Sequence, residues 1–372
     1  MRLDSTTMSP SSSPRRVLHL VPALFDEKDG IVGGAERYAW ELARHMADAT
    51  ETTLLSFGST DRSLTEGRLR VRVLGKPWSV RGNRFNPLSA RVLPEILRAD
   101  VVHCHQQHLL MSSTAALAGR LSGRRVFVTD LGGGAWDFSG YVSTDRWFHG
   151  HLHISEYSRR VFGQEGKPWS RVILTGVDTT KFSPDPNVPK TGGALFVGRF
   201  LSHKGIDRLI EALPGDLPLD VVGRPYDPKY FTLLQELARG KRVTFHTDLD
   251  DARLVEMYRR ARCVVLPSLY RDRYGNETRV PELMGQTLLE GMSCGIPAIC
   301  TDVASMPEAV ADGLTGFVVP PDDLDRMRTA LVNLCTDRAR AEAMGAAART
   351  RMLELFQWSA VVARCLDAYR AS

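Results

Sequence analysis

Residues 194–213 read ALFVGRFLSHKGIDRLIEAL. The apolar run Ala194–Phe200 is too short for a helix and reads as a buried strand, while Lys204–Leu213 places its apolar residues at helical spacing. Gly198, Arg199, Ser202, His203 and Gly205 fill the turn between them. A strand that passes through a tight glycine turn into a helix is the repeating unit of a parallel α/β sheet. The cations Arg199 and Lys204, five residues apart, bracket the start of the helix. Unpaired N–H groups and the helix dipole favour an anion there, so the turn predicts a diphosphate site; a solvated basic loop is the duller reading.

The same alternation extends outward in both directions. Downstream, strands at Leu219–Gly223, Val243–His246, Cys263–Pro267 and Pro297–Asp302 are separated by helices at Pro228–Arg239, Asp251–Ala261 and around Thr287–Cys294, and two helical segments close the chain. Upstream, Arg16–Phe25, Thr52–Phe57, Leu69–Leu74, Val101–His105, Arg125–Thr129, Leu152–Ser155 and Val172–Leu174 read as strands, with an amphipathic helix over Ala35–Ala49. Between the two series the pattern loosens into Pro- and Gly-rich residues 181–193, a linker. The fold class expected is therefore α/β, with two doubly wound parallel-sheet domains, 15–180 and 194–355, facing one another across a cleft. Ligands of such sheets lie beyond the carboxyl ends of the strands.

Composition narrows the classes of function. The 372 residues are 43% hydrophobic and 24% charged, as in an ordinary globular protein, and too many for one core. A net charge of +5 is far short of a nucleic-acid binder's basic stripe. The six cysteines are scattered with no Cys-x-x-Cys pair, which argues for reduced thiols in a cytoplasm. No apolar run approaches a membrane span. Residues 1–14 are rich in Ser, Thr and Pro, lack an apolar core and read as a disordered tail rather than a signal peptide. Arg120, Arg124 and Arg125 form a small basic cluster that suits peripheral contact with the inner face of an anionic membrane, against the plainer reading of a solvated face.

A second constellation is PELMGQTLLEGM, residues 281–292. On a continuous helix Glu282 and Glu290 would stand roughly 12 Å apart. That is too far to share a proton, yet suited to the two ends of an extended ligand such as a nucleotide sugar. Gly285 permits a sharp turn, after which the amides of Gln286, Thr287 and Leu288 would open a helix towards phosphate. Glu290, between apolar neighbours, reads as a partly buried, paired carboxylate.

These motifs, in this order, resemble the retaining glycosyltransferases of family 4, whose two-Rossmann architecture is called GT-B and belongs with the glycogen-synthase and phosphorylase-like superfamily. The resemblance rests on Gly33-Gly34-Ala35-Glu36, Gly176-Val177-Asp178 with Phe182-Ser183-Pro184, Val197-Gly198-Arg199 with Lys204-Gly205, Glu282-(x7)-Glu290, Gly313–Val319 and Phe356-Gln357-Trp358. It implies that helix 356–372 crosses back onto the first domain. It also implies that a UDP- or GDP-sugar donates its sugar, with retention, to a saccharide, lipid-linked sugar or natural product. Arg199 and Lys204 would neutralise the leaving diphosphate, Glu282 would hold donor-sugar hydroxyls, and Glu290 the ribose. Thr247, in the segment 245–249, would edge the base, and Gly33 and Gly34 would bring backbone amides to the phosphate. No metal and no cofactor are expected, and the assembly expected is a monomer or homodimer. A GT-B epimerase and a silent sugar-nucleotide-binding subunit are the alternatives.

One departure matters. Where many family members carry a histidine after the strand Val126–Thr129, this chain reads Asp130-Leu131-Gly132-Gly133-Gly134-Ala135-Trp136-Asp137. Asp130, Gly132, Asp137 and His105 are the candidates for acceptor or donor-sugar contacts in its place, and Asp130 reads equally as a turn cap. Residues 132–141 and 270–277 read as specificity segments or, more plainly, as floppy loops. His103, His105 and His108 look like a metal nest without an acidic ligand, and packed histidines are the preferred reading. Asp248-Leu249-Asp250 resembles a manganese-binding Asp-x-Asp, but Asp250 stands where a helix cap is expected.

Overall fold

A computed structural model describes residues 14–23 and 33–371. The chain divides into two compact units. The first takes residues up to Ile154 with Arg159–Gly176 and Trp358–Ser372; the second takes Ser155–Ser158 and Val177–Gln357.

The first unit contains β1 (Arg16–Leu20), β2 (Glu51–Gly58), β3 (Arg62–Glu66), β4 (Leu69–Gly75), a two-residue ladder of β5 (Trp78–Ser79) and β6 (Pro87–Leu88), then β7 (Val101–His105), β8 (Arg125–Thr129), β9 (Gly150–His153) and β10 (Ser170–Val172). Its main sheet runs β10-β9-β8-β7-β1-β2-β4-β3. Every neighbouring pair is parallel except β3 with β4. The chain builds outward from β1 and then returns to β1's other side with β7, so the strand order reverses between β1 and β7. The second unit holds β11 (Ala194–Val197), β12 (Leu219–Val222), β13 (Val243–His246), β14 (Cys263–Leu266), β15 (Ala298–Thr301) and β16 (Gly316–Val319), all parallel in the order β13-β12-β11-β14-β15-β16. Here the order reverses between β11 and β14. Central strands buried on both faces explain the unbroken apolar runs VVL, AIC and ALFV.

Several boundaries shift. β1 ends at Leu20, and Leu24, Phe25 and residues 1–13 lie outside the described residues. The antiparallel edge strand Arg62–Glu66 and the helices Leu93–Arg98 and Leu110–Leu121 were not legible. The first is half polar, and the last (LMSSTAALAGRL) buries serines and glycine rather than a clean apolar stripe. Residues 181–193 are no free linker but packed within the second unit. Phe182 meets Tyr258 edge-on at 5.8 Å, and Gly192 N–H donates to the Arg260 carbonyl at 2.9 Å. The last helix starts at Trp358, after a π-turn over Met352–Phe356. It packs into the first unit: Arg125 donates to the Tyr369 carbonyl and Arg364 to the Ile173 carbonyl, both at 2.6 Å. No helix among the described residues is long and apolar enough to cross a membrane.

Candidate functional site

The reversal point of the second sheet collects the chemistry. β11 ends at Val197, and the chain turns through Ser202–Lys204 into helix Ile206–Ala212. Gly205 has φ +67°, and a Cβ on it would lie 2.1 Å from the Pro267 carbonyl oxygen, so only glycine lets this turn lie against the end of β14. Lys204 is thereby 9% exposed. Its Nζ forms an ion pair with Glu282 Oε1 and donates to the Pro281 carbonyl at 3.3 Å. Ser268, two residues past β14, donates its hydroxyl to the same Glu282 oxygen at 2.9 Å, and Thr301 holds the Ser268 carbonyl at 2.5 Å. Burial, with Lys204 and Arg199 nearby, keeps His203 below the usual imidazole range against the opposing pull of Glu282 and Asp272.

The Glu282–Glu290 segment is not one helix. Glu282 lies in a loop, Gly285 is left-handed (φ +68°), and the helix runs Gln286–Ser293. Glu290, half-buried on that helix, accepts the Tyr258 hydroxyl at 2.8 Å. Burial and the Glu290 charge hold that phenol well above its ordinary range. The Leu288 amide closes the turn onto the Gly285 carbonyl at 2.9 Å, so of the three expected anion donors it is spent inside the helix. The Thr287 hydroxyl is buried without a hydrogen-bond partner.

Beside this cluster, Arg199 stands over the Tyr226 ring, 5.8 Å from its centroid. Arg199, Tyr226, Gly198, Gly223, Arg224 and Thr247 are among the residues that line a recess of about 350 Å³ at the carboxyl ends of β11, β12 and β13. Within its wall His246 is bonded to Asp220 at 2.8 Å. The recess offers an aromatic face, two guanidinium groups and close backbone, the donor set for a flat base and phosphate oxygens. Asp250 caps helix Asp251–Arg260 through the Arg253 amide at 2.8 Å, the capping role expected of it. Residues 270–277 form an ordered turn and not a floppy loop. Asp272, 7% exposed, accepts from Ser202 Oγ at 2.5 Å, from Asn276 Nδ2 at 3.0 Å and from the amides of Tyr274 and Asn276 at 2.9 Å.

In the first unit Gly33 caps helix Gly34–Met46, and burial raises the carboxyl of Glu36 above its ordinary range. Asp130, 3% exposed, takes the Gly132 amide at 3.0 Å, while its Oδ2 accepts no hydrogen bond and faces His108 Nε2 at 3.7 Å. Burial raises its carboxyl, with His108 opposing. The Gly132 carbonyl accepts from Gln106 Nε2 at 2.7 Å. Asp137 is structural: it caps the turn Phe138–Gly140 and binds Ser113 Oγ at 2.8 Å. His105 is also interior. Its Nε2 pairs with His19 Nδ1 at 2.9 Å, and its neighbour His103 bonds Thr129 Oγ1 at 2.8 Å and the Tyr369 hydroxyl at 2.7 Å. One ligand nitrogen from each of His19, His103 and His105 falls within 4.8 Å of the others. The set contains no carboxylate, and His19 Nε2 and His105 Nδ1 are buried without a hydrogen-bond partner. Burial lowers His19 to about 3. His108 is not part of this set but bonds Ser139 Oγ at 3.0 Å.

The structure therefore brings Arg199, Gly198 and Thr247 to one recess and Lys204 and Glu282 to the adjoining cluster. It places Asp130 and Gly132 at the end of β8 and buries Asp137 and His105 in the core. Ser268, Tyr226 and Tyr258 were missed. Ser268 shows only a strand-end position, and nothing in spacing singles out the two tyrosines.

A family model described as "Glycosyl transferases group 1" matches residues 179–351, and one described as "Glycosyltransferase Family 4" matches residues 32–181. A GDP-mannose-dependent alpha-(1-6)-phosphatidylinositol monomannoside mannosyltransferase of Mycolicibacterium smegmatis is 31% identical over 233 residues, covering 58% of this chain and 60% of that protein. An alpha-maltose-1-phosphate synthase of Mycobacterium tuberculosis is 31% identical over 230 residues, covering 54% and 56% respectively. The chain thus spans somewhat over half the length of these curated relatives. A crystal structure of Anabaena Alr3699/HepE in complex with UDP and glucose superposes with a TM-score of 0.72 at 17% identity, covering 96% of this chain and 100% of that one, which establishes the shared GT-B fold. With the two models meeting end to end over both sheets, the chain belongs to the family 4, group 1 glycosyltransferases.

Proposed function

We propose that the chain transfers a sugar from a nucleoside diphosphate sugar, of uridine or guanosine type, to an acceptor hydroxyl with retention at the anomeric carbon. The observation that carries this reading is the Lys204–Glu282–Ser268 cluster beside the Arg199-lined recess, at the sheet reversal where α/β ligands bind. In the proposed reaction the bond from the anomeric carbon to the diphosphate oxygen breaks and the electron pair leaves with that oxygen. Arg199 and Lys204 offset the charge that develops there, and preorganised cations of this kind supply much of a transfer enzyme's rate. Glu282 accepts hydrogen bonds from donor-sugar hydroxyls while Ser268 and Lys204 hold its orientation. Glu290, steadied by Tyr258, accepts from the ribose. The acceptor oxygen attacks from the face the diphosphate leaves, and its proton passes to the departing phosphate oxygen. This route needs neither a protein base nor a metal, and no cofactor enters the proposal.

The donor base is left as either type: one relative's name specifies GDP-mannose and one structural neighbour holds UDP. A cytoplasmic location, peripheral at the membrane, and cell-surface polysaccharide, glycolipid or natural-product glycoside as product belong to the same proposal. The test is a thermal-shift screen of uridine, guanosine and adenosine diphosphate sugars, followed by nucleotide release with pooled acceptors. A stabilising donor that releases its nucleotide supports transfer. Tight binding with no release from any donor and acceptor pair would sink it in favour of a silent sugar-nucleotide-binding protein.

A further inference from the structure

Residues 76–98 of the first unit carry five cations (Lys76, Arg81, Arg84, Arg91, Arg98) against the single acid Glu95, a net +4 where the whole chain has +5. Glu95 is itself buried and engaged by Arg72 and Arg98. The same stretch exposes four large apolar side chains: Trp78 61%, Phe85 45%, Leu93 45% and Leu97 51%. Trp78, Leu93 and Leu97 lie along one surface. Trp78 pairs with Leu88 across the two-residue ladder. Leu88 and Leu93 then rim an apolar recess of about 190 Å³ whose walls include Val92, Ile96, Met111 and Ala115. Leu97 lies one helical turn beyond Leu93.

We propose that this surface docks on an anionic phospholipid bilayer, with Trp78, Phe85, Leu93 and Leu97 entering the interface and the net positive charge of the stretch lying among the headgroups. Large exposed apolar patches rimmed by polar residues mark interaction sites on soluble proteins, and this one keeps a net positive charge although Arg91 is paired with Asp61 and Arg98 with Glu95. An interfacial site needs that mixture, because apolar burial and headgroup attraction act together and either alone binds weakly. Arg84 already lies over the Phe85 ring at 4.7 Å, which keeps its charge beside the apolar group. The basic cluster Arg120, Arg124, Arg125 does not serve this role. Arg120 is spent on the carbonyls of Trp147 and Phe148 (2.8 and 3.3 Å) and Arg125 on that of Tyr369 (2.6 Å). The inference deepens the peripheral location proposed above by naming its surface and partner, and it does not depend on the transfer reaction.

The test is co-sedimentation of the full chain with vesicles of one part phosphatidylglycerol to two parts phosphatidylcholine, against vesicles of phosphatidylcholine alone. Binding is expected only to the anionic vesicles, with release by high salt. The double variants Arg84→Glu with Arg98→Glu, and Trp78→Ser with Leu97→Ser, should each weaken it about tenfold or more. The equal charge change Arg253→Glu with Arg338→Glu, at exposed arginines of the second unit, should not. No binding to anionic vesicles at low salt overturns the proposal, as does an equal loss in the control variant. A concentration-dependent dimer abolished by Leu97→Ser, without vesicle binding, also overturns it and assigns the surface to a second copy. Vesicle binding without sugar transfer refutes the proposed function alone; transfer to a soluble acceptor without vesicle binding refutes this inference alone.

Discussion

At the scale of single residues, Lys204 and Glu282 are 11% and 13% exposed at their side chains, so each needs its partner in place of water. Lys204→Ala is expected to cut nucleotide release about 10²–10³-fold, the range for loss of one preorganised charge. Glu282→Gln, which keeps the shape but not the charge, should fall by a similar order. Both should still unfold cooperatively, since Ser268 and the Pro281 carbonyl leave the remaining group a partner. Wild-type turnover in either variant would overturn the site assignment. The core histidines act differently. Burial holds His19 and His153 neutral down to about 3, while the unfolded chain takes up protons below about 6.5. Unfolding therefore binds protons between these values, and stability falls as pH drops through that window, by about 1.4 kcal/mol per pH unit for each such imidazole. Urea midpoints should decline from pH 6.5 to 4, and His19→Gln should flatten the decline.

At the scale of elements, two helix starts separate stability from function. Asp250 caps helix Asp251–Arg260 by accepting the Arg253 amide, and Asp250→Ala should cost about 1 kcal/mol with transfer unchanged. Gly285 starts helix Gln286–Ser293 at φ +68°, and a Cβ there would approach Leu288 Cδ1 to 3.1 Å and Leu266 Cδ2 to 3.3 Å. Gly285→Ala should cost about 1–2 kcal/mol. Unlike the Asp250 change it should also depress turnover, because the turn carries Glu282 on one side and Glu290 on the other. Denaturation midpoints and kcat measured together check the pair. Equal activity losses in both would show that the turn is not special.

At the scale of the molecule, the last helix completes the first unit. Trp358 stacks with His45 at 5.8 Å and tilts against Tyr38 at 5.7 Å, while Tyr369 reaches His103. Gly176 makes room for it, since a Cβ there would fall 2.2 Å from the Trp358 ring. A chain ending at Gln357 should show faster hydrogen exchange in β7 and β8 with β14 and β15 unchanged. Uniform loss of protection, or none, would contradict this placement.

Much of this was legible in the residues. The alternation of apolar runs with amphipathic stretches specified two parallel sheets, because strands buried on both faces must be apolar throughout. The glycine turns between strand and helix were legible too, and Gly205 and Gly285 are left-handed there. Arg199, Lys204, Glu282 and Glu290 were proposed as site residues from local chemistry and the family resemblance. What spacing along a chain does not carry is contact between distant segments. Only the tertiary structure joined Lys204 to Glu282 across 78 residues, gave Glu290 its hydroxyl from Tyr258, and drew Ser268 and Tyr226 to the site. It also decided that His105 and Asp137 are interior and that 181–193 is packed. A polar side chain's role depends on whether folding leaves it water or replaces water with a partner, and that is settled by long-range packing rather than by the residues beside it.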